Sequence, residues 1–160
     1  MLIPDTARAL LDASTETPEG AEPQAHEAAA DLHTRTVDAL KGYARMLEKA
    51  EPTFRPVVQR FHDLHSRHAT ALAAIVAALG GTVDADGSFM GTINQTVVSL
   101  RAFFDEIDED VMDSVRSGED HVLKAFDGAL EFGLPPDHEA AIVAMRDELV
   151  ALLDETRHLD

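Results

Sequence analysis

Four side chains with metal-binding chemistry lie where the spacing of apolar residues turns them toward the inside of helices: Glu119, His65, His68 and His33. Carboxylate oxygens and imidazole nitrogens bind iron and zinc, and a mononuclear site needs three or four such donors within reach of one another. One interpretation is therefore a protein that binds iron or zinc, with a role in metal handling or oxidative stress.

A second interpretation of the same residues is structural. Buried polar groups in proteins are usually satisfied by neighbouring hydrogen-bond partners. Glu119 would then bond within the protein, to Tyr43 or to a histidine. Gly118 beside it lowers helix propensity by about 1 kcal/mol, which suggests that a neighbouring backbone approaches closely or that the helix bulges.

A complete di-iron or di-manganese site is not predicted. Such a site takes an acid from each of two helices and a Glu-x-x-His pair from each of the other two. The chain has one such pair, Glu155 and His158, near its end. The helix with His62, His65 and His68 offers no inward acid, and Asp38 lies one position off the inner face of its own helix. The other histidines fall near helix ends or outer faces, where solvation explains them: His26, His121, His138 and His158.

No catalytic motif is complete in the sequence. Gly-x-Ser-x-Gly and glycine-rich phosphate loops are absent. The absence of cysteine excludes thiolate chemistry and disulfides. We therefore assign no catalytic and no cofactor-binding residue, and the sequence favours a protein that is not an enzyme.

Helical spacing of apolar residues runs almost without interruption after residue 23 and predicts an all-α fold. The predicted helices cover about 24–50, 54–79, 88–105, 108–132 and 137–159, the last capped by Asp137. For the first helix the predicted inner face is His26, Ala30, His33, Val37, Leu40, Ala44 and Leu47. For the fourth it is Met112, Val115, Glu119, Val122, Phe126 and Ala129. In the last, Ile142, Met145, Leu149, Leu152, Thr156 and Leu159 are predicted to face inward.

The connections predict how the helices are arranged. Short loops join the first two long helices and the last two, so each pair is predicted to be antiparallel, and a crossover helix joins the pairs. One long crossover between two hairpins predicts a ferritin-like four-helix bundle. Acids at 108–110 suit the start of a new helix, although one continuous helix through them is an alternative. We predict two parts: 1–23, a short helix and linker, and 24–160, the bundle.

Several short motifs occur in an order that resembles a known family. They are Asp38 to Tyr43, Leu79-Gly80-Gly81, Gly87-Ser88, Gly91, Gly118-Glu119-Asp120, Ala129-Leu130 and Leu134-Pro135-Pro136. Across roughly residues 30–159 the chain resembles an uncharacterised bacterial family of ferritin-like four-helix bundles, a domain of unknown function. Ala71-Leu72 and Asn94-Gln95 depart from the family pattern, which has an acid before the leucine and a histidine in the crossover helix.

The charge of the chain limits its partners. Thirty acidic against thirteen basic residues give a formal charge of −17, which repels phosphate backbones and anionic lipid. We expect no nucleic acid and no membrane partner, and instead a second copy of the chain, as in a homodimer, or another protein. No signal peptide or apolar span is apparent, which predicts a cytoplasmic location. The favoured function is a structural or interaction scaffold.

Overall fold

The computed structural model describes residues 21–83 and 107–159, and these residues form four α-helices and one 3-10 turn. The helices are α1 (Ala21–Lys49), α2 (Arg55–Ala78), α3 (Met112–Leu130) and α4 (Pro136–Glu155), with the turn Glu109–Val111 just before α3. The predicted all-α fold is confirmed for this part of the chain. The predicted helix and linker at the amino terminus and the crossover helix near 88–105 lie outside the described residues, apart from the last residues of the predicted linker.

Glycine and proline set the helix ends close to the predicted positions. Pro56 lies in the first turn of α2, where the missing N–H removes no intrahelical bond. After α2, Gly80 adopts φ 87°, a left-handed conformation that favours glycine. The backbone at Asp108 is extended, and its carboxylate accepts a hydrogen bond from Asp110 N at 3.0 Å. The extended residue breaks the helix, so α3 does not continue through 108–110 from an earlier helix.

The prediction that Asp137 caps the last helix is wrong. Pro136 follows Pro135 and restricts it to an extended conformation, with φ −53° and ψ 141°. The fixed φ of Pro136 itself suits the first helical position. The cap of α4 is therefore Pro135, two residues before the predicted cap, and Asp137 lies in the first turn of the helix.

The predicted inner faces are correct for α3 and nearly so for α4, but the face of α1 is wrong by one position. All six residues predicted for α3 are buried, and so are the first five of the six predicted for α4. On α1, Ala44 is exposed while its neighbour Tyr43 is buried. The buried residues of α1 are Ala25, Ala29, Leu32, His33, Thr36, Tyr43 and Met46. The buried face of α1 is wider than the predicted stripe, since it includes the adjacent residues Leu32 and His33.

Each helix packs against two others, α1 and α4 each contacting both α2 and α3. A Cβ on Gly81 would overlap the ring of His26, so the start of α1 lies beside the end of α2 and the two run antiparallel. Hydrogen bonds join Ile107 to Lys49 and to Glu51, so α3 begins beside the end of α1 and is antiparallel to it.

Ion pairs show the direction in which α4 runs relative to α2. Arg60 pairs with Glu155, and Arg67 with Glu148 at 3.1 Å, so α2 and α4 are antiparallel. Arg146 pairs with Asp127 at 2.8 Å in the hairpin of α3 and α4. Within the described ranges, no helix is both long and apolar enough to pass through a lipid bilayer.

Candidate functional site

Glu119 is a carboxylate in the core of the bundle. It lies on α3 between Val115 and Val122, and it is 1% exposed. Its predicted inward position is therefore confirmed. Since an isolated carboxylate is costly to bury, its surroundings must supply hydrogen bonds.

Two side chains from two other helices hydrogen-bond to the same oxygen of Glu119. The hydroxyl of Tyr43 on α1 donates to Oε1. The Nε2 atom of His65 on α2 lies 2.8 Å from Oε1. The structural interpretation named Tyr43 or a histidine as the partner, and the structure contains both contacts.

The tautomer of His65 follows from these contacts. Glu119 Oε1 accepts, so Nε2 of His65 carries the hydrogen. The other nitrogen, Nδ1, is buried without a hydrogen-bond partner. A hydrogen on Nδ1 would be an unsatisfied buried donor.

Burial keeps Tyr43 in its protonated form. Loss of solvent raises the pKa of the phenol well above its usual value, and the charge and hydrogen bond of Glu119 raise it further. The hydroxyl therefore remains a donor to Glu119 at every physiological pH.

A row of ring contacts extends from Tyr43 through the core of the bundle. The ring of Tyr43 stacks with Phe61, at a centroid distance of 5.2 Å, and with His65, at 5.5 Å. His68 meets the His65 ring edge-on at 6.3 Å and Phe126 at 6.2 Å. This row fixes the orientation of both histidines.

His68 is directed toward α4 instead of Glu119. Its Nε2 atom lies 3.2 Å from Glu148 Oε2, and Arg67 binds the same oxygen at 3.1 Å. Burial lowers the pKa of His68 even though Glu148 acts to raise it. The sequence did not predict Glu148 as a site residue, because it lies beside the inner position of Leu149 instead of on the inner face. In the structure its side chain is half exposed.

The four predicted ligands are only partly brought together. Glu119 and His65 are in contact, His68 adjoins them through a ring contact, and His33 is buried on α1 with its pKa lowered by burial. Within 21–83 and 107–159, no group of three or more histidine, aspartate or glutamate side chains is close enough to hold a metal ion. The four-residue metal site remains a prediction. Glu155, half of the Glu-x-x-His pair, forms an exposed ion pair with Arg60 instead.

Several buried polar atoms around the site have no hydrogen-bond partner. They are Glu119 Oε2, Asp38 Oδ1, His65 Nδ1 and His68 Nδ1. Asp38, set aside in the sequence as lying off the inner face, has its pKa raised to about 6 by burial, against the opposing charges of Arg35 and Lys41. The spacing of residues in the sequence could not show that its Oδ1 atom is buried without a hydrogen-bond partner.

A pocket of about 400 Å³ lies between α1 and α3 and includes Glu119, Tyr43 and Asp38 in its lining. Gly42 and Gly118 also line it, and a Cβ on either glycine would meet no atom within 4 Å. The expected close approach or bulge at Gly118 is therefore wrong: α3 is a regular helix there, and the missing side chain leaves open space.

Comparison with known proteins gives one result at the family level. A sequence model with the description "Domain of unknown function (DUF2383)" matches residues 24–132. Neither the curated proteins nor the solved structures yield a match.

Proposed function

The chain belongs to the DUF2383 family, a domain of unknown function, and we propose that it is a ferritin-like helical bundle that acts through contacts with a partner. In this proposal the buried polar residues stabilise the bundle, and the protein has no redox centre.

The arrangement of the described helices supports the ferritin-like part of the proposal. Two antiparallel hairpins, α1 with α2 and α3 with α4, pack against each other. The chain leaves α2 beside the start of α1 and enters α3 beside the end of α1. These points lie at opposite ends of the bundle, as in bundles that have one long crossover between hairpins.

The observation that carries the structural role is the pair of hydrogen bonds to Glu119 Oε1. Tyr43 and His65 satisfy this oxygen from α1 and α2. One carboxylate thereby joins three helices in the core of the bundle. This is a sufficient reason for burying Glu119 without any metal ligand role.

Metal analysis tests the proposal directly. The full chain would be expressed without a tag in medium containing iron, zinc and manganese, and its bound metal would be measured element by element beside Glu119→Gln. We expect equal, substoichiometric metal in both proteins. A stoichiometric metal in the wild type that is missing from the variant would overturn the structural role.

The partner is proposed to be a second copy of the chain or another protein. Sedimentation equilibrium of the full chain, beside a chain lacking residues 1–20, measures self-association. We expect a dimer whose mass changes on truncation. A monomer in both cases would leave only a different protein as the partner.

Metal binding is the second candidate, favoured by the orphaned atoms Glu119 Oε2, His65 Nδ1 and His68 Nδ1. In that case Glu119→Ala abolishes metal uptake while the helical circular dichroism signal is retained. Uptake that survives the substitution contradicts this candidate.

A further inference from the structure

Two glycines in the lining leave the pocket between α1 and α3 open. Gly42 of α1 and Gly118 of α3 each leave open space where another residue would place a side chain. Glycine inside a helix costs about 1 kcal/mol relative to alanine. The helices give up this stability at two positions of one pocket, and its volume of about 400 Å³ is within the range of small-molecule sites.

Two carboxylate oxygens at this pocket lack partners. Glu119 Oε2 is buried on a side chain that is 1% exposed, and Asp38 Oδ1 is buried on the opposite wall. Tyr43 and His65 both bond to the other oxygen of Glu119, so they leave Oε2 unpaired. A buried acceptor without a donor is costly, and a ligand that donates here removes that cost.

The charge around these oxygens selects the ligand. Tyr43 stays protonated, so its hydroxyl donates to Glu119 Oε1 without bringing a positive charge to the pocket. Arg35 lies on the rim, but its guanidinium faces Asp31 on the exposed side of α1, at 3.7 Å. Besides Tyr43 and the imidazole of His121, the ionisable side chains of the lining are the carboxylates of Asp38 and Glu119 and the guanidinium of Arg35, which already has a partner. This balance favours a cation.

Four aliphatic side chains also line the pocket: Met46, Val111, Val115 and Val122. A metal ion needs three or four donor atoms, whereas an ammonium group needs two or three acceptors and its apolar body needs a hydrophobic wall. The second description fits these residues.

We propose that this pocket binds a small primary amine with an apolar body, whose ammonium group donates to Glu119 Oε2 and Asp38 Oδ1. The apolar body lies along Met46, Val111 and Val115. The inference goes beyond the proposed structural role of Glu119 and rests on it, because it requires Tyr43 and His65 to hold Glu119 in place.

The probe is n-hexylamine, compared with hexan-1-ol and hexanoate, which have the same chain length but differ in charge. Binding to the full chain would be measured by calorimetry and by two-dimensional NMR. We expect hexylamine to bind about tenfold or more tightly than hexanol, as hydrogen bonds to charged groups are the stronger ones, and hexanoate to bind worst. Equal binding of amine and alcohol, or no binding of the amine, overturns the proposal.

Glu119→Gln is the sharpest variant. Its amide oxygen can accept both hydrogen bonds now made to Oε1, while its amide nitrogen replaces Oε2 with a donor. We expect the preference for amine over alcohol to fall about tenfold while hexanol binding is unchanged. Asp38→Asn should act in the same direction, and an unchanged preference in both variants contradicts the assignment.

Gly118→Leu fills the pocket, and Gly128→Leu is its matched control. Both glycines lie on α3 with open space around a Cβ, but Gly128 does not line this pocket. We expect Gly118→Leu to abolish amine binding and Gly128→Leu to retain it, with the helical signal confirming that both fold. The reverse pattern, or the same effect in both variants, places the ligand elsewhere.

The pH profile gives an independent readout. Since the pKa of Asp38 is raised to about 6, its carboxylate becomes negative as the pH rises through that value. The affinity for hexylamine should therefore increase between about pH 5 and pH 7, and Asp38→Asn should flatten this part of the profile. The ionisable groups near Asp38 are Asp31, Arg35 and Lys41 on α1 and, across the pocket, Glu119 and His121 on α3.

Zinc and manganese chlorides distinguish this inference from the metal candidate. If these ions bind to the wild type but not to Glu119→Gln, and hexylamine does not bind, the amine proposal fails and the structural role of Glu119 fails with it. If neither ion binds and hexylamine does not bind, only the amine proposal fails, and the role of Glu119 in the core stands.

Discussion

At the scale of single residues, the two oxygens of Glu119 have different surroundings. Tyr43 and His65 bind Oε1, and Oε2 is buried without a partner. The first oxygen joins α1, α2 and α3 through these hydrogen bonds. The second oxygen has no hydrogen-bond donor among the described side chains. Stability and binding are therefore separable at one carboxylate.

The Tyr43 hydroxyl should be measurable in the stability of the protein. Tyr43→Phe keeps the ring that stacks on Phe61 and His65 but removes one donor to Glu119. We expect the free energy of unfolding, measured in urea, to fall by about 1–3 kcal/mol, since a buried acceptor loses a partner.

A double-mutant cycle with Glu119→Leu is the control for this prediction. In that background Tyr43→Phe should cost less, because no carboxylate is left unsatisfied. Equal costs in both backgrounds would mean that the hydroxyl acts independently of Glu119.

Spacing predicted which residues would be buried at the site but not which atoms would meet. Glu119 and His65 were placed inside by the four-and-three rhythm of apolar residues on α3 and α2. The same rhythm could not show that His68, one turn after His65, is directed toward Glu148 on α4. A helix that faces two neighbours presents successive turns to different partners, and that depends on how the helices cross.

At the scale of elements, the quality of the predicted inner face depends on how widely the buried and apolar residues of a helix spread around it. On α3, one stripe of six residues contains all the buried side chains. On α1, the buried side chains spread from Leu32 to the adjacent His33, and alanines occur on several sides. When a helix is apolar on more than one side, spacing alone leaves its rotation uncertain by one residue.

The end of α2 gives a prediction at this scale. Gly80 has φ 87°, a conformation in which a Cβ is disfavoured by about 1–2 kcal/mol. Gly80→Ala should therefore lower the free energy of unfolding by about 1 kcal/mol in urea titrations.

Gly42→Ala is the matched control. Gly42 is inside α1 with open space around a Cβ, and it lacks a positive φ. Alanine there should raise the free energy of unfolding by about 0.5–1 kcal/mol. The same sign of change at Gly42 and Gly80 would contradict the assigned backbone difference.

At the scale of the whole molecule, the negative charge opposes the compact state. A formal charge of −17 is self-repulsive, and added salt screens it, the Debye length falling from about 30 Å at 0.01 M to about 8 Å at 0.15 M. The thermal unfolding midpoint should therefore rise by several degrees over this range of sodium chloride.

Potassium chloride should give the same rise at equal ionic strength, because screening does not depend on the identity of the cation. A midpoint that falls with salt would show that surface ion pairs, such as that between Arg146 and Asp127, outweigh the general repulsion. A rise that differs between the two salts would indicate specific cation binding.

The global arrangement was predictable only in part. Short connections predicted the two antiparallel hairpins, and the described helices agree with them. The choice of neighbours between hairpins, α1 with α3 and α2 with α4, depends on the complementarity of side chains far apart in the sequence. No local pattern contains that information.

The row of rings in the core has one practical consequence. Tyr43 is the only tyrosine of a chain that has no tryptophan, so its near-ultraviolet fluorescence reports on a single known position. That phenol touches Glu119 and lines the pocket between α1 and α3. The protein thus contains an intrinsic optical probe at its candidate site, and a ligand that enters there can be followed by emission without any label.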